Sequence, residues 1–383
     1  MAHRIVIVGG GFGGITAALA LHKEHLQECE ITLVTTKPWL EYYGVLYRLI
    51  AGADASQACL PLNIVLGHTQ TTVVIDQITA VDPSAKTIQG KHASYSYDTL
   101  LLAPGSTPAY FNIPGMEEHS ITMKCADDAL AIRAIVQNQK DSGPYIIVGG
   151  GPTGIEIAGE IMGIVPTATV HLIEAMDRLL PIVEPSASAK VLQRLKNLNV
   201  NVHLSTAVAG ADAHGITLKD GTTMAASTLI WTAGVRAHPI LETIPGLELD
   251  KRKRVVVDEQ LRAKGQADIF VLGDCASTPY AGMAQTAVED GNHVAHVIAA
   301  MRKNKPLPIY KPIAPAYAIP VGGAWSAVKF GVLKVYGLIG HALRRAADLH
   351  VYALVLPWHY VPVAFFGKID LKHYGITPGK KQQ

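Results

Sequence analysis

Short unbroken apolar runs alternate with helical spacing along the first three quarters of the chain, and the alternation occurs twice. Residues 4–8 end in Ile5-Val-Ile-Val8 with no polar interruption, the pattern of a parallel strand buried on both faces. A glycine turn follows, then an apolar helix over about 13–22 and a second strand over 31–34. The same order returns about 140 residues later: a strand at 145–148, a glycine turn, a helix through 162 and a strand at 170–173. Two more apolar runs, 97–103 and 227–232, each lead into a glycine turn and look equivalent, one per unit. A third strand-turn signal at 269–272 precedes Gly273-Asp274, and helical spacing then runs over 284–301. The proline-rich stretch 306–320 marks a boundary.

Beyond that boundary the pattern changes. Residues 325–345 place Val328, Val332, Val335, Tyr336, Ile339 and Leu343 on one face of a single helix, with Lys329, Lys334, His341, Arg344 and Arg345 in another sector. That spacing suits an interfacial amphipathic helix and equally a helix packed on its own domain. Residues 349–367 then run without Asp, Glu, Lys or Arg, but Pro357 and Pro362 interrupt what would otherwise be long enough for a span. Charge sharpens the contrast: the whole chain carries only +2, while residues 315–383 hold eight Lys or Arg against two acids, together with 10 of the 24 aromatic residues. Basic and aromatic together is the composition of a surface that meets anionic lipid, so the segment is expected to dock on the cytoplasmic face of a membrane or to form a homodimer interface.

A chain of 383 residues with 49% hydrophobic content supplies two or three packed cores. Its four cysteines, Cys29, Cys59, Cys125 and Cys275, show no spacing for a metal site or a redox disulfide and suit a reducing cytosol. The N-terminus enters the first strand too quickly to leave room for a secretion signal. Basic residues are not interleaved with any recognition motif in the main body, which argues against nucleic acid as a partner.

The chemistry sits in the glycine turns. Gly9-Gly10-Gly11-Phe12-Gly13-Gly14 is a G-x-G-x-x-G between strand and helix, where Gly9 turns tightly, Gly11 admits a pyrophosphate to the backbone and Gly14 lets helix and strand approach. Alone the motif is weak, but Gly149, Gly151 and Gly154 repeat it in the same context. At the end of the second strand of the second unit stands Glu174, which suits a ribose diol and repels a 2′-phosphate, favouring NADH over NADPH; Arg178 nearby works against that preference. The corresponding position of the first unit is Thr35, which cannot grip a ribose in the same way. Asp274, after Gly273 at a strand end, is placed to accept from polyol hydroxyls or to cap a turn. The helix starting near Ala284 directs its positive end at any anionic ring edge, and Gln285 and Glu289 share one of its faces.

With these motifs in place, about residues 4–311 resemble the two-dinucleotide-binding-domain flavoproteins. Within them the chain resembles type II NADH:quinone oxidoreductases and the apoptosis-inducing-factor-like quinone reductases. The resemblance rests on residues 5–14, Ile147-Val-Gly-Gly-Gly-Pro-Thr-Gly-Ile-Glu156, Trp231-Thr-Ala-Gly-Val-Arg236, Val271-Leu-Gly-Asp-Cys-Ala276 and Ala284-Gln-Thr-Ala287. It implies tandem Rossmann-like α/β domains: an FAD-binding domain over 1–109 and 260–314, an NAD(H)-binding domain over 110–259, and a C-terminal segment over 315–383. It also implies FAD contacts from Gly9, Gly11, Gly14 and Asp274, and NADH contacts from Gly149, Gly151, Gly154 and Glu174. Glu156 would lie near flavin and nicotinamide, and Ala284 and Gln285 beside the flavin ring and a quinone. Phe12, Gly13, Thr35, Gly105, Pro152, Thr153, Gly234 and Gly273 complete the expected cofactor set; Glu156, Gln285 and Glu289 form the expected catalytic set. Two departures stand out: Pro104 where the family turn has Thr, and Glu289-Asp290 where it has glutamines. The activity implied is hydride transfer from NADH to FAD, then two electrons to a quinone. A sulfide:quinone reductase using Cys125 and Cys275, and a slow-turnover redox-sensing flavoprotein, stay open. Disulfide-reductase chemistry does not, because residues 41–49 contain no cysteine.

Overall fold

The computed structural model describes residues 2–138 and 143–379. The first unit is a five-stranded parallel sheet in the order Ile269–Val271, Thr99–Leu102, His3–Val8, Cys29–Thr35, Thr72–Ile75. The second is a four-stranded parallel sheet in the order Asn201–His203, Val170–Ile173, Tyr145–Val148, Thr228–Trp231. In both, the strand that leads into a glycine turn is interior, flanked by the next strand of its βαβ unit on one side and a late-returning strand on the other. Each unit also carries a three-stranded antiparallel sheet inserted before that returning strand: Ile78–Asp82, Thr87–Gly90 and Ser94–Ser96 in one, Val208–Asp212, Gly215–Leu218 and Thr223–Ala225 in the other. Ser106–Pro108 and Val235–Ala237 pair antiparallel where the chain crosses between the units.

Interior strands read as continuous apolar runs because both faces are covered. Helix Phe12–Lys23 is buried from Phe12 to Leu21, held between its sheet and helix Ala284–Arg302. The two helices meet at glycines: a Cβ on Gly291 would lie 2.3 Å from Thr16 Oγ1 and 2.6 Å from the Gly13 carbonyl oxygen. The chain's return to the first sheet through Ile269–Val271 brings Gly273, Asp274 and the start of helix Ala284–Arg302 beside the first glycine turn.

The C-terminal segment differs from the expected single helix over 325–345. Ser326–Phe330 and Leu333–Val335 are strands of a three-stranded antiparallel sheet with Tyr317–Pro320, and the helix begins only at Gly337, running to Val355. Gly331 and Gly337, both at positive φ, make the turn and the break that helical periodicity ignored. The supposed apolar stripe is therefore split between a hairpin and a helix.

Placement at the cytoplasmic face of a membrane is likewise overturned. Among the described residues no helix is long and apolar enough to cross a bilayer. The cations that were to meet lipid are committed internally: Lys329 and Lys334 pair with Glu184 at 3.5 and 3.0 Å, and Arg344 and Arg345 pair with Asp348 at 2.8 and 3.0 Å. Arg344, assigned to a polar face, is buried. Lys380 and Lys381 of the basic count lie outside the described residues.

Candidate active site

Both glycine turns divide their labour in the same way. Gly9 holds φ +111°, and a Cβ there would sit 2.1 Å from the carbonyl oxygen of Ala103; Gly149 holds φ +118° against Ala233 at 2.7 Å. Gly14 and Gly154 each have the carbonyl of the first glycine 2.0 Å from where a Cβ would be. Gly11 and Gly151 face open space, with nothing within 4 Å. Each of these is the N-cap of its helix and offers no side-chain cap, so the first-turn N–H groups of Phe12–Lys23, and those that follow Pro152 in Pro152–Ile164, have no side-chain acceptor at the cap. An open, uncapped helix start beside a glycine lacking any Cβ contact is a diphosphate cradle, and both cradles fit a dinucleotide.

A cavity of about 840 Å³ runs along the first turn. Its wall includes Gly9, Gly11, Phe12, Gly13, Thr35, Gly105, Gly273, Asp274 and Ala284, and, from the second unit, Pro152, Thr153, Glu156 and Gly234. Gly14, Gly149, Gly151, Gly154, Glu174, Gln285 and Glu289 do not line it. Gln285 is exposed at the helix start, its side-chain amide donating to Glu289 at 3.2 Å and its oxygen accepting from the Ala316 N–H at 3.2 Å.

Glu174 accepts from the backbone N–H of Gly150 at 2.7 Å and of Met176 at 2.8 Å, so it ties down the turn it was expected only to border. Each oxygen keeps a second lone pair for a ribose hydroxyl. Arg178 is spent on carbonyls, donating to Val183 at 2.8 Å and Pro181 at 2.7 Å, and is not presented to a 2′-phosphate. Thr35 occupies Glu174's place in the first unit, lying over Gly10 as Glu174 lies over Gly150.

Sequence reasoning missed a polar chain on the cavity wall. The Ser106 hydroxyl donates to Asp274 at 2.5 Å, and Lys124 Nζ donates to Ser106 at 3.2 Å while lying 5.6 Å from the centre of the Tyr43 ring. Burial lowers the Lys124 ammonium's pKa, and Asp274 and Asp128 oppose that. Ser106 follows a predicted turn and was within reach of the sequence; Lys124 sits in no motif. Behind the turn, Asp290, fully buried, accepts the Gly273 N–H at 2.8 Å, and burial pushes its carboxyl up to about 6.

Glu156 reaches the same cavity from the second helix. Burial pushes its carboxyl up to about 8, with Arg344 pulling it down and Glu160 and Asp348 pushing it further up. Arg344 is held by Asp348 and by the Gly44 carbonyl, and Asp348, wholly buried, also accepts from the Tyr42 hydroxyl at 2.8 Å. Helix Gly337–Val355 thus places one cation behind Gly44 and Glu156, both on the cavity wall. The cysteines do not match a sulfide site: burial raises the Cys125 thiol to about 11 and the buried Cys275 thiol to about 12, so neither is a ready thiolate.

Known proteins are related to this chain in sequence and in fold. The pattern of the pyridine nucleotide-disulphide oxidoreductase family matches residues 3–291. Type II NADH:quinone oxidoreductase NdhA of Mycobacterium tuberculosis is 30% identical over 342 residues, covering 79% of this chain and 72% of NdhA. The type II NADH:quinone oxidoreductase of Staphylococcus saprophyticus is 25% identical, covering 79% and 83%. In fold, NDH2 from Plasmodium falciparum superposes with a TM-score of 0.85 at 18% identity over 98% of this chain and 99% of that one. The sulfide:quinone oxidoreductase of Aquifex aeolicus gives 0.80 at 16% identity over 96% of each.

Proposed function

The chain belongs to the pyridine nucleotide-disulphide oxidoreductase family and is homologous to type II NADH:quinone oxidoreductases, and from that premise we propose that it oxidises NADH and reduces a quinone by way of bound FAD. The observation that carries the reading is the shared cavity, in which the first diphosphate cradle, Asp274 and Ala284 face Pro152, Thr153 and Glu156 of the second fingerprint. Residues 1–109 with 260–314 act as the FAD unit and 110–259 as the NADH unit. FAD, when bound, supplies the two-electron chemistry between nicotinamide and acceptor.

The protein positions and tunes. Gly11 and the N–H groups after it hold the FAD diphosphate, and Asp274, oriented by Ser106, accepts from the polyol. Gly151 and its helix start hold the NADH diphosphate, and Glu174 holds the ribose. Lys124 brings positive charge to the cavity wall beside Ser106 and would favour an anionic ring bound there. Glu156, its pKa at about 8, holds a proton on the cavity wall at neutral pH. The raised thiols of Cys125 and Cys275 weigh against sulfide as donor.

An anaerobic absorption titration tests the reading. NADH should bleach the flavin of the purified protein with one equivalent, and a short-chain quinone should restore the colour. Flavin that NADH does not bleach, or that quinone does not reoxidise, sinks the corresponding half.

A further inference from the structure

We propose that Glu160 resupplies the proton that Glu156 gives up when quinone is reduced, making the two carboxyls a relay from solvent to the cavity; this rests on the acceptor reading above. Both lie on helix Pro152–Ile164, one turn apart, where side chains at i and i+4 stand about 5–6 Å apart at Cβ. Their neighbours on that helix, Ile155, Ile157, Ala158 and Ile161, are fully buried and apolar, so Glu160 is out of place for packing alone. It retains 9% exposure, which is its route to water, while Glu156 opens to the cavity.

Among the described residues no hydrogen bond holds either carboxyl; Glu160 is buried and Glu156 half-buried, and a carboxylate shielded from water is costly unless it takes a proton. Burial accordingly raises Glu160 to about 7, next to Glu156 at about 8. The charged and titratable groups on the elements packed against this helix are few. Tyr47 feels both carboxyls, and Arg344 and Asp348 act on Glu156. Arg194 is committed to the carbonyls of Val321 and Gly322, and Tyr317 to Glu184.

Reducing a quinone to a quinol takes two electrons and two protons. NADH gives both electrons and one proton as hydride; the second proton comes from solvent. In the relay the Glu156 O–H breaks as a quinol O–H forms; a bridging water then donates a proton to Glu156 and takes one from Glu160, and solvent reprotonates Glu160. Glu160 acts only through Glu156 and touches no substrate.

The test uses full-length, FAD-loaded protein carrying E160Q or E160D. Ferricyanide, which takes electrons and no proton, serves as control beside a short-chain quinone. E160Q should slow flavin reoxidation by quinone about tenfold or more and enlarge its solvent deuterium effect. Its reduction by NADH and reoxidation by ferricyanide should stay within twofold of wild type, and E160D should keep most of the quinone rate. Infrared spectra of the resting protein at neutral pH should lose a protonated-carboxyl band in E160Q. Unchanged quinone reoxidation in E160Q, equal slowing with ferricyanide, or an unchanged band overturns the relay alone. Wild-type flavin that quinone fails to reoxidise overturns the acceptor reading and the relay with it.

Discussion

The two glycine turns are near copies in backbone and unlike in what ties them down. Gly9 and Gly149 share a φ that other residues avoid, Gly14 and Gly154 share the same 2.0 Å approach, and Gly11 and Gly151 face the same kind of open space. Over the middle glycine, however, the second unit sets a carboxylate that accepts two backbone N–H groups, where the first sets a threonine whose hydroxyl lies 3.5 Å from its nearest polar neighbours. The comparison separates two requirements that a motif merges. Glycine spacing answers to sterics and must be kept in any dinucleotide turn; the acid answers to local hydrogen bonding and to the ribose, and is dispensable where other groups hold the ligand.

The largest effect should come from breaking the steric half. Gly9→Ala forces a Cβ against the Ala103 carbonyl at a φ of +111°, and should cost about 3 kcal/mol or more, whatever is bound. A Cβ at Gly11 has nothing within 4 Å, so Gly11→Val should melt close to flavin-free wild type while losing most of its flavin. Thermal melts and flavin content of the two variants decide it. A Gly11→Val protein that keeps full flavin would place the cofactor elsewhere.

Next in size is the tether. Glu174→Ala removes the acceptor of two N–H groups and should cost about 2 kcal/mol of stability, with a clear rise in the KM for NADH, whereas Thr35→Ala should cost less than about 0.5 kcal/mol. Urea midpoints and NADH kinetics of both variants measure the contrast, and equal losses would erase it. The same site should favour NADH over NADPH at least tenfold in kcat/KM. Arg178→Ala should leave that ratio unmoved, because the guanidinium is bound to carbonyls of its own loop.

Much of this was legible in the sequence, for a physical reason. Buried parallel strands must be continuous apolar runs and their turns must be glycine, so both sheets and both cradles announce themselves locally. What stayed hidden depends on residues far apart. Lys124 meets Ser106 and Asp274 only because three separate elements converge, and Glu184 claims Lys329 and Lys334 across about 150 residues of chain. Helical periodicity over 325–345 was real as a count of positions, but Gly331 and Gly337 turn the chain twice within it. Charge counted along a sequence says nothing about which cations are already paired.

The smallest expected effect sharpens the comparison through pH, since each unit buries a raised carboxyl: Asp290, pushed up to about 6, in the first and Glu160, pushed up to about 7, in the second. In both, the folded state holds the proton more tightly than the unfolded chain. Their contribution to stability is therefore full below the ordinary carboxylate range and is lost as pH rises, through about 6 for Asp290 and about 7 for Glu160. Asp290→Asn keeps an oxygen for the Gly273 N–H but cannot ionise, so it should flatten the fall in Tm between pH 4 and 6 and leave the fall between 6 and 7 in place. Glu160→Gln should lessen the fall up to about 7 and leave the part that Glu156, raised to about 8, contributes. The displacement of Asp290 caps its effect at about 3 kcal/mol, and relaxation with water should reduce that to about 1 kcal/mol. Melting curves of wild type and the two variants from pH 4 to 8 read it directly. Curves that run parallel across the whole range would mean that neither carboxyl keeps its proton on folding, and that the two units are alike in this respect only because neither titrates.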